Sequence, residues 1–195
     1  MATKKPVKKA VVKTVKKAAP AKKTAVPAKK ATASKKSAKP AKVVKIYHDK
    51  DADVSVIKDK TIAVMGFGAQ GRAQALCLRD SGCNVIIGVR KGKSFKAAKE
   101  AGFAVFSVAD AAKRADIIHI LLPDESHKSV YANEIAKYVT PGKTLSCSHG
   151  FAYVFKNIVP PTDVDVIMVA PKGPGTEVRR VFEEGFGCPG LVAVW

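Results

Sequence analysis

The sequence predicts a doubly wound α/β domain, a parallel sheet with helices on both faces, behind a disordered basic tail. Three observations carry that reading. From residue 61 onward, short apolar runs alternate with helix-like ones. The apolar runs are continuous, as in 117–122, which marks strands buried on both faces. Residues 1–45 hold sixteen Lys and no Asp, Glu or Arg. Such a Lys-, Ala- and Pro-rich stretch cannot bury enough apolar surface to offset chain entropy. The division is therefore 1–45, a tail, and 46–195, one domain with a core of its own.

Taken in order, residues 61–65 form a first strand and the Ala-rich run 69–78 a helix. Residues 84–89 are the second strand, 103–105 a short third, 108–114 a helix and 117–122 a buried strand. A helix over 126–138 is closed by Pro141-Gly142. Residues 144–148 and 164–170 are strands, 177–184 a helix and 191–194 the last strand. Ligands of such a sheet lie beyond the carboxyl ends of its strands.

Between the first strand and helix stands Gly66-Phe67-Gly68-Ala69-Gln70-Gly71. The spacing G-x-G-x-x-G is weak alone and informative in a strand-turn-helix context. Gly66 allows the tight turn, Gly68 lets the backbone approach a pyrophosphate, and Gly71 lets helix and strand pack closely. The helix N-terminus adds free N–H groups and a positive dipole end. The fold is thus Rossmann-like and the ligand a dinucleotide.

After the second strand, where NAD-binding sites carry an Asp or Glu for the ribose hydroxyls, the chain has Arg90, then Lys91, Lys93 and Ser94 in a glycine-containing loop. A carboxylate would repel a 2′-phosphate, whereas these groups bind it by charge-assisted hydrogen bonds. The expected cofactor is NADP(H). A solvated basic loop is the alternative.

Polar groups gather at the other strand ends: Asp124, Glu125, Ser126 and His127, then Ser146-Cys147-Ser148-His149-Gly150, then Pro171-Lys172-Gly173-Pro174-Gly175. His149 is the candidate for acid–base work because its intrinsic pKa lies nearest neutrality; a structural role is the alternative. Lys172 is a candidate for a substrate anion, or merely faces solvent. His119, inside an apolar strand, reads as a core histidine.

These motifs, with Lys45-Ile46-Tyr47, Leu121-Leu122-Pro123-Asp124-Glu125, His149-Gly150-Phe151 and the run Val164 to Gly175, resemble the N-terminal domain of ketol-acid reductoisomerase over residues 45–194. The resemblance implies conversion of acetohydroxy acids to dihydroxy acids in branched-chain (isoleucine and valine) synthesis, by alkyl migration and reduction, with NADPH and Mg²⁺. It implies cofactor-phosphate contacts from Phe67, Gly68, Ala69 and Gln70, and 2′-phosphate contacts from Arg90 and Ser94. It sets Asp124, Glu125, Ser126 and His127 on the adenosine side, brings Gly175 to the cofactor through its backbone, and makes His149 the active-site histidine. Lys93 stands where the family usually has a Ser, a change that phosphate binding tolerates. Arg72 and Gln74 stand where the family often has His, with no consequence assigned.

In that family the metal-binding carboxylates lie in an all-helical C-terminal domain, which is not expected within this sequence. Asp163 and Asp165 flank a strand and Glu183-Glu184 lie on a helix, so no metal ligand is assigned. By itself the chain is expected to bind NADPH without turning over acetolactate. A separately supplied C-terminal domain or a second copy would be its partner.

Two other functions compete: an NADP-dependent dehydrogenase of the 6-phosphogluconate or prephenate type, and a nucleic-acid-associated protein. The tail resembles those of linker histones and histone-like bacterial proteins, and its charge would bind nucleic acid by counterion release. It offers neither a secretory apolar core nor the Arg of a mitochondrial presequence, and no run reaches the ~20 apolar residues of a membrane span. Cys77, Cys83, Cys147 and Cys188 show no disulfide or metal spacing, so a reducing cytoplasm is expected.

Overall fold

The computed structural model describes residues 45–195, and the calls of disorder and nucleic-acid binding for 1–45 lie outside the described residues. Tyr47–Trp195 forms one compact unit. A short helix α1 (Ser55–Lys58) leads into β1 (Thr61–Met65), α2 (Ala69–Asp80), β2 (Asn84–Gly88) and α3 (Lys93–Glu100). Then follow β3 (Ala104–Phe106), α4 (Val108–Arg114), β4 (Ile117–Ile120), α5 (Asp124–Val130), β5 (Thr144–Cys147) and α6 (Phe151–Val154). The chain closes with β6 (Asp165–Pro171), α7 (Gly175–Glu183) and β7 (Gly190–Val194).

The seven strands lie in the order β3-β2-β1-β4-β5-β6-β7. Chain order reverses between β1 and β4, and a cleft opens there beyond the carboxyl ends of the strands. Neighbouring residues of β1 serve opposite faces. Ala63 and Met65 pack with Val108, Ala111 and Ala112 of α4, while Val64 packs with Ala75 of α2, Ile87 and Ala98 of α3. Burial on both sides explains why the strands read as unbroken apolar runs. Each fully buried Ile or Leu, such as Ile87, Ile118 and Leu145, contributes about 1.5–3 kcal/mol.

The doubly wound α/β fold is present as expected, with local differences. Strand β7 runs antiparallel to β6, pairing Pro171 with Gly190 through Ile167 with Val194. The connection between them, residues 172–189 with α7 inside it, is long enough for a parallel crossover, so its length does not set that direction. Lys93 and Ser94 are not in a loop. They open α3, because Lys-Ser-Phe-Lys-Ala-Ala-Lys-Glu has good helix propensity as soon as Gly92 is passed. The helix expected over 126–138 begins at Asp124 and continues as a π-helical turn (Tyr131–Ile135) and a 3₁₀ turn (Ala136–Tyr138). Helices α1, α3 and α6 were not foreseen. No helix among the described residues is long and apolar enough to cross a membrane.

Candidate functional site

The cleft is built from the turn after β1 outward. Gly66 has φ +105°, and a Cβ there would lie 2.7 Å from the Leu121 carbonyl oxygen, so the turn needs glycine on both counts. At Gly71 a Cβ would strike the Gly66 carbonyl, which keeps α2 close to β1. Gly68 differs: nothing lies within 4 Å of its missing Cβ. It caps α2, whose first intrahelical bond is Arg72 N–H to the Gly68 carbonyl at 2.9 Å. The N–H groups of Ala69, Gln70 and Gly71 precede that bond, at the positive end of the helix. Phe67 points the other way, buried in the core and edge-on to Phe103 with ring centres 5.7 Å apart. Any ligand contact from Phe67 is therefore through its backbone.

At the end of β2, Arg90, Lys91, Lys93 and Ser94 are all exposed. None of the three cations joins an ion pair within the described structure. Ser94 sits in the first turn of α3, which adds main-chain donors beside those charges.

Across the cleft, Gln70, Leu121, Leu122, Asp124, His127, Ser148, His149 and Pro171 line a cavity of about 280 Å³. His149 is exposed, and its Nδ1 accepts from the Phe151 N–H at 3.1 Å. Its hydrogen therefore belongs on Nε2, free to donate to a ligand oxygen. His127 is buried, with Nε2 donating to the Leu122 carbonyl at 2.8 Å and Nδ1 3.8 Å from an Asp124 carboxylate oxygen. The Ser126 hydroxyl turns back to the Pro123 carbonyl, 2.8 Å away. Asp124, Glu125 and Lys172 are exposed. A larger groove of about 570 Å³ runs from Phe67, Gly68 and Ala69 between α2 and α7 as far as Ala97.

Gly175 closes the construction. A Cβ there would occupy the position of the Ala69 carbonyl, so α7 starts in direct contact with the start of α2. A few residues earlier, the Gln70 amide donates to the Gly173 carbonyl at 2.9 Å.

Sequence reasoning missed a polar chain under α2. Strand register sets Val64, His119 and Ser146 side by side on β1, β4 and β5, on the face that α2 covers. Gln74 lies one turn beyond Gln70 on that helix. His119 Nε2 donates to Gln74 Oε1 at 2.8 Å, and its Nδ1 accepts from the Ser146 hydroxyl at 2.9 Å. Burial drives the His119 pKa down to about 4, so the ring is neutral near pH 7. His119 is the expected core histidine, but Gln74, passed over as inconsequential, is the centre of its network. The i, i+4 spacing of Gln70 and Gln74 was the available signal. Elsewhere burial raises the Cys147 thiol pKa and pushes the Tyr153 hydroxyl far up. Among the described residues no three His, Cys, Asp or Glu side chains gather as a metal site.

Residues 56–195 match the family model described as acetohydroxy acid isomeroreductase, NADPH-binding domain. A ketol-acid reductoisomerase (NADP(+)) of Akkermansia muciniphila is 74% identical over 149 residues, 76% of this chain and 46% of that protein. A ketol-acid reductoisomerase (NAD(+)) of an uncultured archaeon is 57% identical over 157 residues, 77% of this chain and 47% of that protein. The solved structure of an NADH-preferring ketol-acid reductoisomerase from an uncultured archean superposes with TM-score 0.75 at 56% identity, covering 78% of this chain and 48% of that one. The chain thus spans about half the length of the relatives it matches. By a family match over most of its length, in a fold whose glycine turn and strand ends carry the family's motifs, the chain belongs to the acetohydroxy acid isomeroreductase (ketol-acid reductoisomerase) family, within its NADPH-binding domain.

Proposed function

We propose that this domain binds NADPH and serves the ketol-acid reductoisomerase reaction, in which an acetohydroxy acid rearranges by alkyl migration and the resulting 2-keto acid is reduced. One observation carries the cofactor reading: the open position at Gly68, before the free N–H groups of α2, follows the end of β1 as unpaired Arg90 and Lys93 follow the end of β2. The Gly66 N–H to Gly88 carbonyl bond of 3.0 Å sets those two ends side by side. The pyrophosphate would sit on the N–H groups of Ala69, Gln70 and Gly71, and the 2′-phosphate against Arg90, Lys93 and Ser94. Asp124 to His127 would line the adenosine side and Gly175 would meet the cofactor through its backbone. NADPH supplies the hydride. His149 would donate from Nε2 to a substrate oxygen, and Lys172 would hold a substrate anion.

The residues fit the dinucleotide, whereas the described residues bring no ligand set together for Mg²⁺. No step is derived through that ion. The dehydrogenase alternative gives way to the family match. A reducing, cytoplasmic setting belongs to the same reading, supported by four free cysteines.

One relative is named for NAD(+) and others for NADP(+), so cofactor choice varies among similar chains. Here the cations after β2 favour the phosphorylated form. Calorimetric titration with NADPH and NADH tests this. NADPH should bind at least tenfold tighter, one charge-assisted hydrogen bond's worth; equal affinities or a preference for NADH would overturn the reading.

A further inference from the structure

We infer that His119, acting through Gln74, is a positioning residue for the cofactor cleft: it sets the direction of the Gln70 amide, which ties the glycine turn to the loop before α7. The inference rests on the NADPH reading. It follows from hydrogen-bond polarity along one chain of groups.

The Gly173 carbonyl can only accept, so the Gln70 group facing it at 2.9 Å must be the NH₂. The Gln70 oxygen then faces Gln74 and accepts from its Nε2 at 3.0 Å. That nitrogen also donates to the Ser148 hydroxyl at 3.0 Å, next to His149. With the Gln74 nitrogen committed, its oxygen faces His119, which must donate from Nε2 at 2.8 Å. Nδ1 is then bare and accepts from Ser146 at 2.9 Å. Every group has one consistent role, and all of it requires the neutral Nε2–H form of His119.

The result is directional. One hydrogen of the Gln70 NH₂ is spent on Gly173, and Gln70 lines the cavity that also holds Ser148, His149 and Pro171. The chain therefore spans three walls of the cleft: the glycine turn, the end of β5 and the loop after β6. Without the His119 donor, Gln74 Oε1 keeps only the Ser148 hydroxyl, 3.3 Å away, and the amide is held less firmly against turning over. Turned over, its oxygen would oppose the Gln70 oxygen and leave the Gly173 carbonyl alone to direct the Gln70 amide.

The test compares His119→Phe, which keeps a ring but no donor, with His119→Gln, whose amide can still donate to Gln74, and with Gln74→Met, of similar length. NADPH affinity of the full chain is measured by calorimetry well below each melting point. His119→Phe and Gln74→Met should each weaken NADPH about tenfold, one hydrogen bond's worth of orientation. His119→Gln should recover most of it. The double variant should be no worse than either single one, since both cut the same chain.

In ¹H–¹⁵N spectra the two Gln70 side-chain amide hydrogens should be well separated in the wild type and converge in His119→Phe. Lower melting points with unchanged NADPH affinity and an unchanged Gln70 signal would overturn the inference and leave His119 a core residue. If the wild type itself fails to bind NADPH, the functional reading falls. The Gln70 signal then decides this inference separately, and Gln74→Met serves should His119→Phe not fold.

Discussion

Two sets of cations flank the glycine turn, and they spend their charge differently. Arg90, Lys91 and Lys93, after β2, are exposed and unpaired within the described structure. On α7, Arg179 binds Asp80 of α2 at 2.6 Å and Glu183 at 2.7 Å, while Arg180 binds Glu177 at 2.7 Å and Glu184 at 2.5 Å. The first set lies where a ligand phosphate would arrive; the second holds α7 together and fastens it to α2. Basic composition alone would rank the two alike. What separates them is whether a carboxylate from the protein already occupies the guanidinium.

Substitutions should expose that division. Arg90→Asp replaces an attraction to the 2′-phosphate by a repulsion, and should weaken NADPH about 100-fold while changing NADH little. Its melting temperature should match the wild type; calorimetry alongside thermal melting checks both, and an equal loss for both cofactors would erase the distinction.

Asp80→Ala should do the reverse. It should remove about 1 kcal/mol, lowering the melting temperature by ~2–4 °C, with NADPH affinity unchanged. Its pH dependence has a definite sign. The hydrogen bond from Arg179 holds the Asp80 pKa below its usual value of 3.8, so its stabilisation is present above that value and fades as pH falls through the depressed one. Melting curves from pH 6 downward should show an acid loss in the wild type that Asp80→Ala lacks. Arg180→Ala should have the smallest effect, about 1 °C, because its carboxylate partners are exposed and on its own helix. A large drop in NADPH affinity from that change would place Arg180 among the ligand-binding cations and break the comparison.

The order of the strands was readable because apolar runs buried on both faces leave a plain signal, as did the glycine turn between β1 and α2. Strand direction was not: 191–194 reads the same whether it runs with β6 or against it. Helix α3 was hidden because Arg90 to Ser94 was taken as one basic loop and no helix was read before the strand at 103, although helix propensity resumes at Lys93. The polar chain under α2 was out of reach for a different reason. The i, i+4 spacing joins Gln70 to Gln74, but His119 and Ser146 meet them only when the β1-β4-β5 register is known. Lys172 stays exposed, its backbone N–H bonded to the Pro189 carbonyl at 2.8 Å.

The contact of Gly175 with Ala69 joins residues from opposite ends of the domain's chain. The turn at 66–71 looks local, yet one of its walls is the start of α7. During synthesis, a nascent chain holding just the first βαβ unit would lack one wall of the cradle. On the NADPH reading, cofactor capture would then wait for the end of folding, and NADPH, by favouring the docked state, would stabilise the domain as a whole rather than its first third.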